Sequence, residues 1–405
     1  MNTRKYRVLV VTANPVQYST PIFQLMAQNP RLDILVAYCS LQGAESGFDS
    51  EFGLEVQWDI PLLDGYPWIQ LSNQSPQPRL GKFFGLINLE LWKQVRTGKF
   101  DAVIAYTGYA YASFWILVAA AKASGTALLF STDAHDLTPR NGSAWKVHLK
   151  KLLLPWIFGL ADTVIVPSSP GVKFVSTLGI PEQRIVLTPF VVNNEWWLAH
   201  AKQVNRAAVR QRWQIPEDSL VVLFCAKLQP WKRPQDALRA FVKANVPDSY
   251  LVFAGEGPLR SQLEVEAKAL GIVERVRFLG FVNQSQLPSV YCSADLFVFP
   301  SEHEPFGVVV NEAMLCGCPV VVSDRVGARY DLVQEGKTGF VYPCGDIDAL
   351  AQILQTVLGN QELLHKMVAA TTKRMESWSV RENVEALVQA LEKAIVYKSE
   401  KISDR

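Results

Sequence analysis

Short β-branched runs alternate along this chain with segments of helical length. Residues 7–13, 32–39, 101–106, 127–131 and 163–167 read as strands, and after Pro216 the rhythm restarts at 220–225, 250–254, 276–279, 296–299 and 319–322. Strands too apolar to have a wet face, each followed by a helical stretch, predict parallel sheets covered by helices on both sides. The expected fold class is α/β, with two doubly wound, Rossmann-like parallel-sheet domains facing a central cleft. The stretch Thr188-Pro189-Phe190-Val191-Val192-Asn193-Asn194 follows the last strand of the first half and marks the hinge. It divides an N-terminal domain, 1–194, from a C-terminal domain, 195–377, and a helical pattern near 378–395 is placed to cross back onto the first. Open parallel sheets bind ligands beyond the carboxyl ends of their strands, so functional residues are expected just after strands.

Bulk properties narrow the classes. A chain of 405 residues exceeds what one core usually organises. With 49% hydrophobic and 19% charged residues it has the means to fold throughout. A formal charge of +2 gives no global field that would call for nucleic acid. The apolar run at 8–11 is too short for a secretory signal and no stretch approaches a membrane span, so a cytoplasmic protein is expected. The six cysteines, Cys39, Cys225, Cys292, Cys316, Cys318 and Cys344, form no complete ligand set and read as reduced structural thiols.

The candidate chemistry lies in the second half. Directly after the strand at 296–299 comes Ser301-Glu302-His303-Glu304-Pro305-Phe306-Gly307-Val308-Val309-Val310-Asn311-Glu312, in which Pro and Gly mark a loop that opens a helix. A helix N-terminus offers unpaired N–H groups and partial positive charge, which suits a diphosphate. Glu304 and Glu312 stand eight positions apart, at most roughly 12 Å along a helix, so two carboxylates could grip hydroxyls at both ends of one ligand. After the strand at 220–225 come Lys227 and Lys232, cations able to neutralise a departing nucleoside diphosphate.

These residues resemble the large retaining glycosyltransferase family 4, of GT-B architecture. Its E-x-F-G-x-x-x-x-E-A pattern reads here Glu304-Pro305-Phe306-Gly307 to Glu312-Ala313, followed by Cys316-Gly317-Cys318-Pro319-Val320-Val321. The family's G-R-L-x-x-x-K appears as Ala226-Lys227-Leu228-Gln229-Pro230-Trp231-Lys232, with lysine in place of the family's arginine. Ala254-Gly255-Glu256-Gly257-Pro258, Arg277-Phe278-Leu279-Gly280 and Gly336-Lys337-Thr338-Gly339-Phe340 are further landmarks, so the likeness covers essentially the whole C-terminal half. Where members carry a Gly-Gly loop after the first strand, this chain has Asn14-Pro15-Val16-Gln17.

The resemblance implies a retaining transferase that moves a sugar from a nucleotide-sugar to an acceptor hydroxyl, in polysaccharide or glycolipid synthesis, the nucleotide-sugar being a co-substrate. It implies Glu304 near the anomeric centre and Glu312 on the ribose. The backbone of Phe306, Gly307 and Val308 would hold sugar and phosphates, Lys227 and Lys232 the diphosphate, and the strand end from Arg277 to Gly280 the nucleobase. His135, in Asp133-Ala134-His135-Asp136 after the strand at 127–131, falls where the family often has a histidine near the donor sugar. No metal or other cofactor is expected. Asp346-Ile347-Asp348 spells a D-x-D but precedes an amphipathic helix and reads as its N-cap.

The segment 145–158 mixes lysines, indoles and aliphatics. A helix packed on its own sheet with lysines outward is the favoured reading, and a face resting on an anionic membrane, where a lipid-linked or glycan acceptor would be met, stays open. Two other functions also stay open. An epimerase of similar architecture would convert donor alone, and a non-catalytic nucleotide-sugar-binding protein would never release nucleoside diphosphate.

Overall fold

The computed structural model describes residues 5–49, 52–137 and 144–403. In chain order its strands are Tyr6–Thr12 (β1), Leu32–Tyr38 (β2), Gly47–Asp49 (β3), Leu54–Val56 (β4), Trp68–Gln70 (β5), Ala102–Ala105 (β6), Ala127–Ser131 (β7), Thr163–Val166 (β8), Ile185–Leu187 (β9), Leu220–Cys225 (β10), Ser249–Ala254 (β11), Val276–Gly280 (β12), Leu296–Phe299 (β13), Val320–Ser323 (β14) and Gly339–Tyr342 (β15). The chain divides into two compact units. The first contains Met1–Glu45, Pro61–Phe190 and Val380–Arg405, and the second Ser46–Ile60 and Val191–Ser379.

The first unit is built on a parallel sheet of order β5-β2-β1-β6-β7-β8-β9. Its central strands carry no polar face because both faces are covered: Val8 to Val11 of β1 and all of β6 are fully buried. The long helix Val380–Ser403 belongs to this unit, packing on β7, β8, β9 and the helix Thr20–Gln28. Asn383 Nδ2 donates to the Pro189 carbonyl at 2.7 Å, Arg31 pairs with Glu392, and the Arg184 guanidinium lies 4.7 Å over the Tyr397 ring. The final helix therefore packs on the unit that the chain left almost two hundred residues earlier.

The helix Ala144–Gly159 packs one face on its own domain, and its other face carries indoles and leucines beside the lysines. Its inner face is formed by Leu154, Ile157 and Phe158, all buried. Residues spaced four, three and four apart share the outer face. Trp145 is 65% exposed there, Leu149 45%, Leu152 76% and Trp156 57%. Lys151 is exposed beside this stripe and Lys150 half-buried, while the side chain of Lys146 lies outside the described atoms. Trp156 stacks on Trp115 of the helix Ala112–Ser124 at 5.5 Å between ring centres, and the turn Phe83–Gly85, with Phe83 and Phe84 exposed, contacts that same helix. The solvent side of the helix thus carries a stripe of large apolar residues bordered by basic ones.

The second unit has a parallel sheet of order β12-β11-β10-β13-β14-β15. The strand order reverses between β10 and β13, which makes the gap beyond their carboxyl ends the topological switch point of this domain. The base of the same two strands is fixed by Arg210. Its buried guanidinium donates to the carbonyls of Ser293, Glu217 and Ser219 at 3.1, 2.5 and 2.6 Å and to Asp295 Oδ2 at 2.7 Å, and that oxygen also accepts the Val221 amide at 2.7 Å. A buried charge that donates four hydrogen bonds locks β10 against the segment that enters β13. The antiparallel pair β3–β4 is the one part of the first half of the chain that belongs to this unit.

Candidate functional site

Two loops leave the second sheet at its switch point, 226–233 after β10 and 300–308 after β13. The first is held by the loop after β11: the Ala226 amide donates to the Ala254 carbonyl at 3.1 Å and the Leu228 amide to the Glu256 carbonyl at 2.8 Å. Gly255, at φ +146°, is what permits this approach, because a Cβ there would stand 2.0 Å from the Ala226 carbonyl oxygen. The second loop is tied to the first, since the Glu302 amide and the Ser301 hydroxyl both donate to the Trp231 carbonyl, at 2.9 and 3.2 Å. It is tied again to the segment after β14 by Gly327 N to Glu304 O at 2.9 Å and Ala328 N to Phe306 O at 2.7 Å. Gly307, at φ +97°, sits so tightly that a Cβ would lie 3.1 Å from Glu304 Cγ and 3.2 Å from the Phe299 ring.

The two loops bring opposite charges together. Lys232 Nζ lies 2.6 and 2.7 Å from the two carboxylate oxygens of Glu304, with both side chains largely buried, and 5.0 Å over the Phe299 ring. Lys227 Nζ is 2.9 and 3.2 Å from the carboxylate oxygens of Asp49 in β3 and 4.5 Å over the Phe52 ring. Each lysine that the sequence offered for a diphosphate therefore carries a carboxylate in this ligand-free chain.

Glu312 lies on the helix Val309–Leu315 and is only 7% exposed. The buried Tyr291 hydroxyl donates to its Oε2 at 3.0 Å, and the Gln284 side chain is also hydrogen-bonded to it. Burial pushes its pKa up to about 7, outweighing the two hydrogen bonds that pull it down. In a covered position of low polarity a carboxylate that does ionise forms strong hydrogen bonds with hydroxyl donors.

The other expected residues divide into those that meet this site and those that do not. Phe306 is buried and lies parallel to Trp378, 6.3 Å between ring centres, so what it offers to the site is backbone. Val308 is the residue before the helix of Glu312, and Gly280 ends β12, its carbonyl accepting the Gly255 amide at 2.8 Å. Arg277 is a correction. It stands near the start of β12, three residues before the ligand end of the strand. Its guanidinium is consumed by the carbonyls of Trp213 at 2.7 Å, Gln214 at 2.9 Å, and Glu274 and Val276 at 3.0 Å, so it braces the fold and is not placed to meet a nucleobase. His135 lies in the first unit beyond β7, its Nε2 3.6 Å from Asp136 Oδ2. In the D-x-D, Asp346 caps the helix Ile347–Leu358 by accepting the Ala349 amide at 2.9 Å, and Asp348 pairs with Lys243. Sequence reasoning missed Tyr291, Gln284, Asp49 and Phe52. None lies in a recognisable motif, and only the sheet order brings them to the lysines and Glu312.

A doubly wound domain with paired lysines and carboxylates at its switch point, accompanied by a second parallel-sheet domain, defines the GT-B class of fold. Comparison with known proteins agrees and specifies the family. Residues 205–374 match the family model "Glycosyl transferases group 1" and residues 5–190 the "Glycosyl transferase 4-like domain". Together these span most of the chain, which belongs to the family-4-like glycosyltransferases. An uncharacterized glycosyltransferase of Methanocaldococcus jannaschii is 40% identical over 184 residues, 45% of this chain and 47% of that one. A D-inositol 3-phosphate glycosyltransferase of Geodermatophilus obscurus is 34% identical over 197 residues, 46% and 43% of the two chains. The chain spans about half the length of the curated relatives it matches. Among solved structures, Anabaena Alr3699/HepE in complex with UDP superposes with a TM-score of 0.71 at 20% identity, over 95% of this chain and 99% of that one. At that identity the likeness concerns the fold.

Glu312 gives the site a thermodynamic signature. Its carboxyl titrates near 7 when folded against an ordinary 4.5. The stability that comes from its protonated form is therefore complete below the unfolded value and is lost as pH rises through the folded one. Glu312→Gln, which keeps the shape and an acceptor for Tyr291, should match wild type at about pH 4.5 and exceed it at about pH 8 by on the order of 3 kcal/mol. Urea unfolding at the two pH values reads this. The same wild-type-to-variant difference at both would mean that folding does not raise the Glu312 pKa.

Proposed function

We propose that the chain is a retaining glycosyltransferase that moves a sugar from a nucleotide-sugar to an acceptor hydroxyl of a growing polysaccharide or glycolipid. The observation that carries this reading is the convergence, at one switch point, of two lysines, the carboxylate of Glu304 and the buried carboxyl of Glu312. Glu312 accepts the ribose hydroxyls. Lys227 and Lys232 hold the diphosphate and stabilise the charge that grows on it as the bond to the anomeric carbon breaks. Glu304 and the backbone from Phe306 to Val308 orient the sugar. The acceptor oxygen bonds to the anomeric carbon on the face that the diphosphate leaves, and its proton passes to the departing phosphate oxygen, so the anomeric configuration is kept and no protein nucleophile is consumed. The two lysines supply the positive charge that a divalent cation would otherwise provide, and the reaction is metal-independent in this reading. The UDP bound by the similar Alr3699/HepE structure supports a nucleoside diphosphate as the leaving group.

A membrane surface fits the exposed stripe of the helix Ala144–Gly159. Among the described residues no helix is long and apolar enough to cross a membrane. A face of two indoles and several leucines bordered by lysines, with no acidic residue on that helix, suits peripheral contact with anionic lipid, where a lipid-linked acceptor is presented.

Titration calorimetry with UDP, GDP and ADP, in EDTA, tests the donor site. One nucleotide should bind wild type, and Glu312→Ala should weaken it roughly tenfold or more; undiminished binding by the variant would contradict the assignment. Sedimentation with phosphatidylglycerol vesicles tests the surface. Wild type should pellet with them, and Leu152→Glu with Trp156→Glu should abolish pelleting without changing nucleotide affinity. A wild type that stays in the supernatant would refute membrane contact.

A further inference from the structure

The β3–β4 pair leaves the first half of the chain to join the second unit, and its contacts there fall on the proposed donor site. One end is anchored to the loop that follows β12. Trp58 lies 6.3 Å from Phe281 between ring centres. Asn283 Nδ2 donates to the Gln57 carbonyl at 2.7 Å, and the Ser285 amide donates to Asp59 at 3.0 Å. The next residue in that loop, Gln284, is the one hydrogen-bonded to Glu312. The other end reaches Lys227, whose ammonium is engaged by both oxygens of Asp49 and lies over the ring of Phe52. The pair thus bridges the two groups assigned to the diphosphate and the ribose.

We propose that Asp49 is a built-in competitor for the donor's diphosphate on Lys227, and that β3–β4 must release this ion pair when a nucleotide binds. The argument is electrostatic and rests on the donor-site reading above. A carboxylate at 2.9 Å occupies the position a phosphate oxygen would take on the same ammonium. Keeping both anions would place like charges within a few ångströms of each other, and a partly covered site screens that repulsion poorly. The Lys232–Glu304 pair does not present the same conflict, because Glu304 is itself assigned to the donor. The aromatic contact at Phe281 keeps the pair attached by its far end, so loss of the Asp49 contact moves the near end without detaching the element. Asp49 thereby sets how tightly the site holds nucleoside diphosphate, both as donor and as product.

Calorimetry with the nucleoside diphosphate that binds wild type tests this, on Asp49→Asn, Lys227→Ala and the double variant. Asp49→Asn keeps the size and polarity of the side chain and should bind roughly threefold to fivefold tighter, the range a partly exposed ion pair can account for. The gain should vanish in the Lys227→Ala background. Removing a merely structural contact would weaken binding or leave it alone, so unchanged or weaker affinity in Asp49→Asn overturns the proposal. If wild type binds nucleotide and loses it in Glu312→Ala while Asp49→Asn matches wild type, the competitor fails and the donor site stands. If no nucleoside diphosphate binds wild type or Asp49→Asn, the donor site fails and takes the competitor with it.

Discussion

A carboxyl group taken almost wholly out of water must be hydrogen-bonded, neutral, or waiting for something, and Glu312 is the point on which the second domain turns. Its place is set by the seven-residue helix after β13, and its partners Tyr291 and Gln284 come from the segments between β12 and β13. Bringing these together requires the sheet order in which β10 and β13 are neighbours, and that order is locked at its base by the buried Arg210–Asp295 pair. Burial raises the carboxyl to about 7, so the ionised form is held at a cost to folding. Proteins retain such a cost where a ligand removes it.

The rest of the site follows the same electrostatic logic. Two ammonium groups close to one switch point would repel each other in an empty domain, and each is instead matched with a carboxylate, Lys232 with Glu304 and Lys227 with Asp49. Both pairs are partly covered and bidentate, which gives them more weight than an exposed surface pair. Both ammonium groups are therefore charge-balanced within the domain, and in the proposed reading a diphosphate would have to exchange partners with these carboxylates.

Much of this was legible in the chain itself. The ten strands expected from apolar runs correspond to β1, β2, β6, β7, β8, β10, β11, β12, β13 and β14, because fully buried parallel strands leave an unmistakable apolar signature. The five strands that were not anticipated are short: β3 and β4 pair only with each other, β5 is a three-residue edge strand, β9 closes the other edge of the same sheet, and β15 lies at the edge of the second. Edge strands have one neighbour and an exposed side, so their pattern is weak. The motif residues Lys232, Glu304 and Glu312 fell into one domain at the ends of the strands named for them. Arg277 shows the limit of that method. Its motif position was readable, but which end of β12 it occupies and which carbonyls it meets depend on the neighbouring helix Arg206–Arg212 and the turn after it.

What the sequence could not disclose was contact between residues remote along the chain. Asp49 and Lys227 are 178 positions apart, and nothing in the local pattern of 46–60 distinguishes a pair of short strands that joins the other domain. The outward face of the helix Ala144–Gly159 was hidden for a different reason. A helix in which lysines and large apolar residues are mixed around the circumference has no preferred direction, so periodicity could not say whether indoles face solvent beside the lysines.

The central claim is that one ligand spans Glu312 and the two lysines, and a crystal structure of the full chain with a bound nucleoside diphosphate addresses it most directly. The account predicts ribose hydroxyls on the Glu312 carboxylate and phosphate oxygens on Lys227 and Lys232. A nucleotide bound elsewhere, with Glu312 still closed on Tyr291 and free of ligand contact, would contradict it.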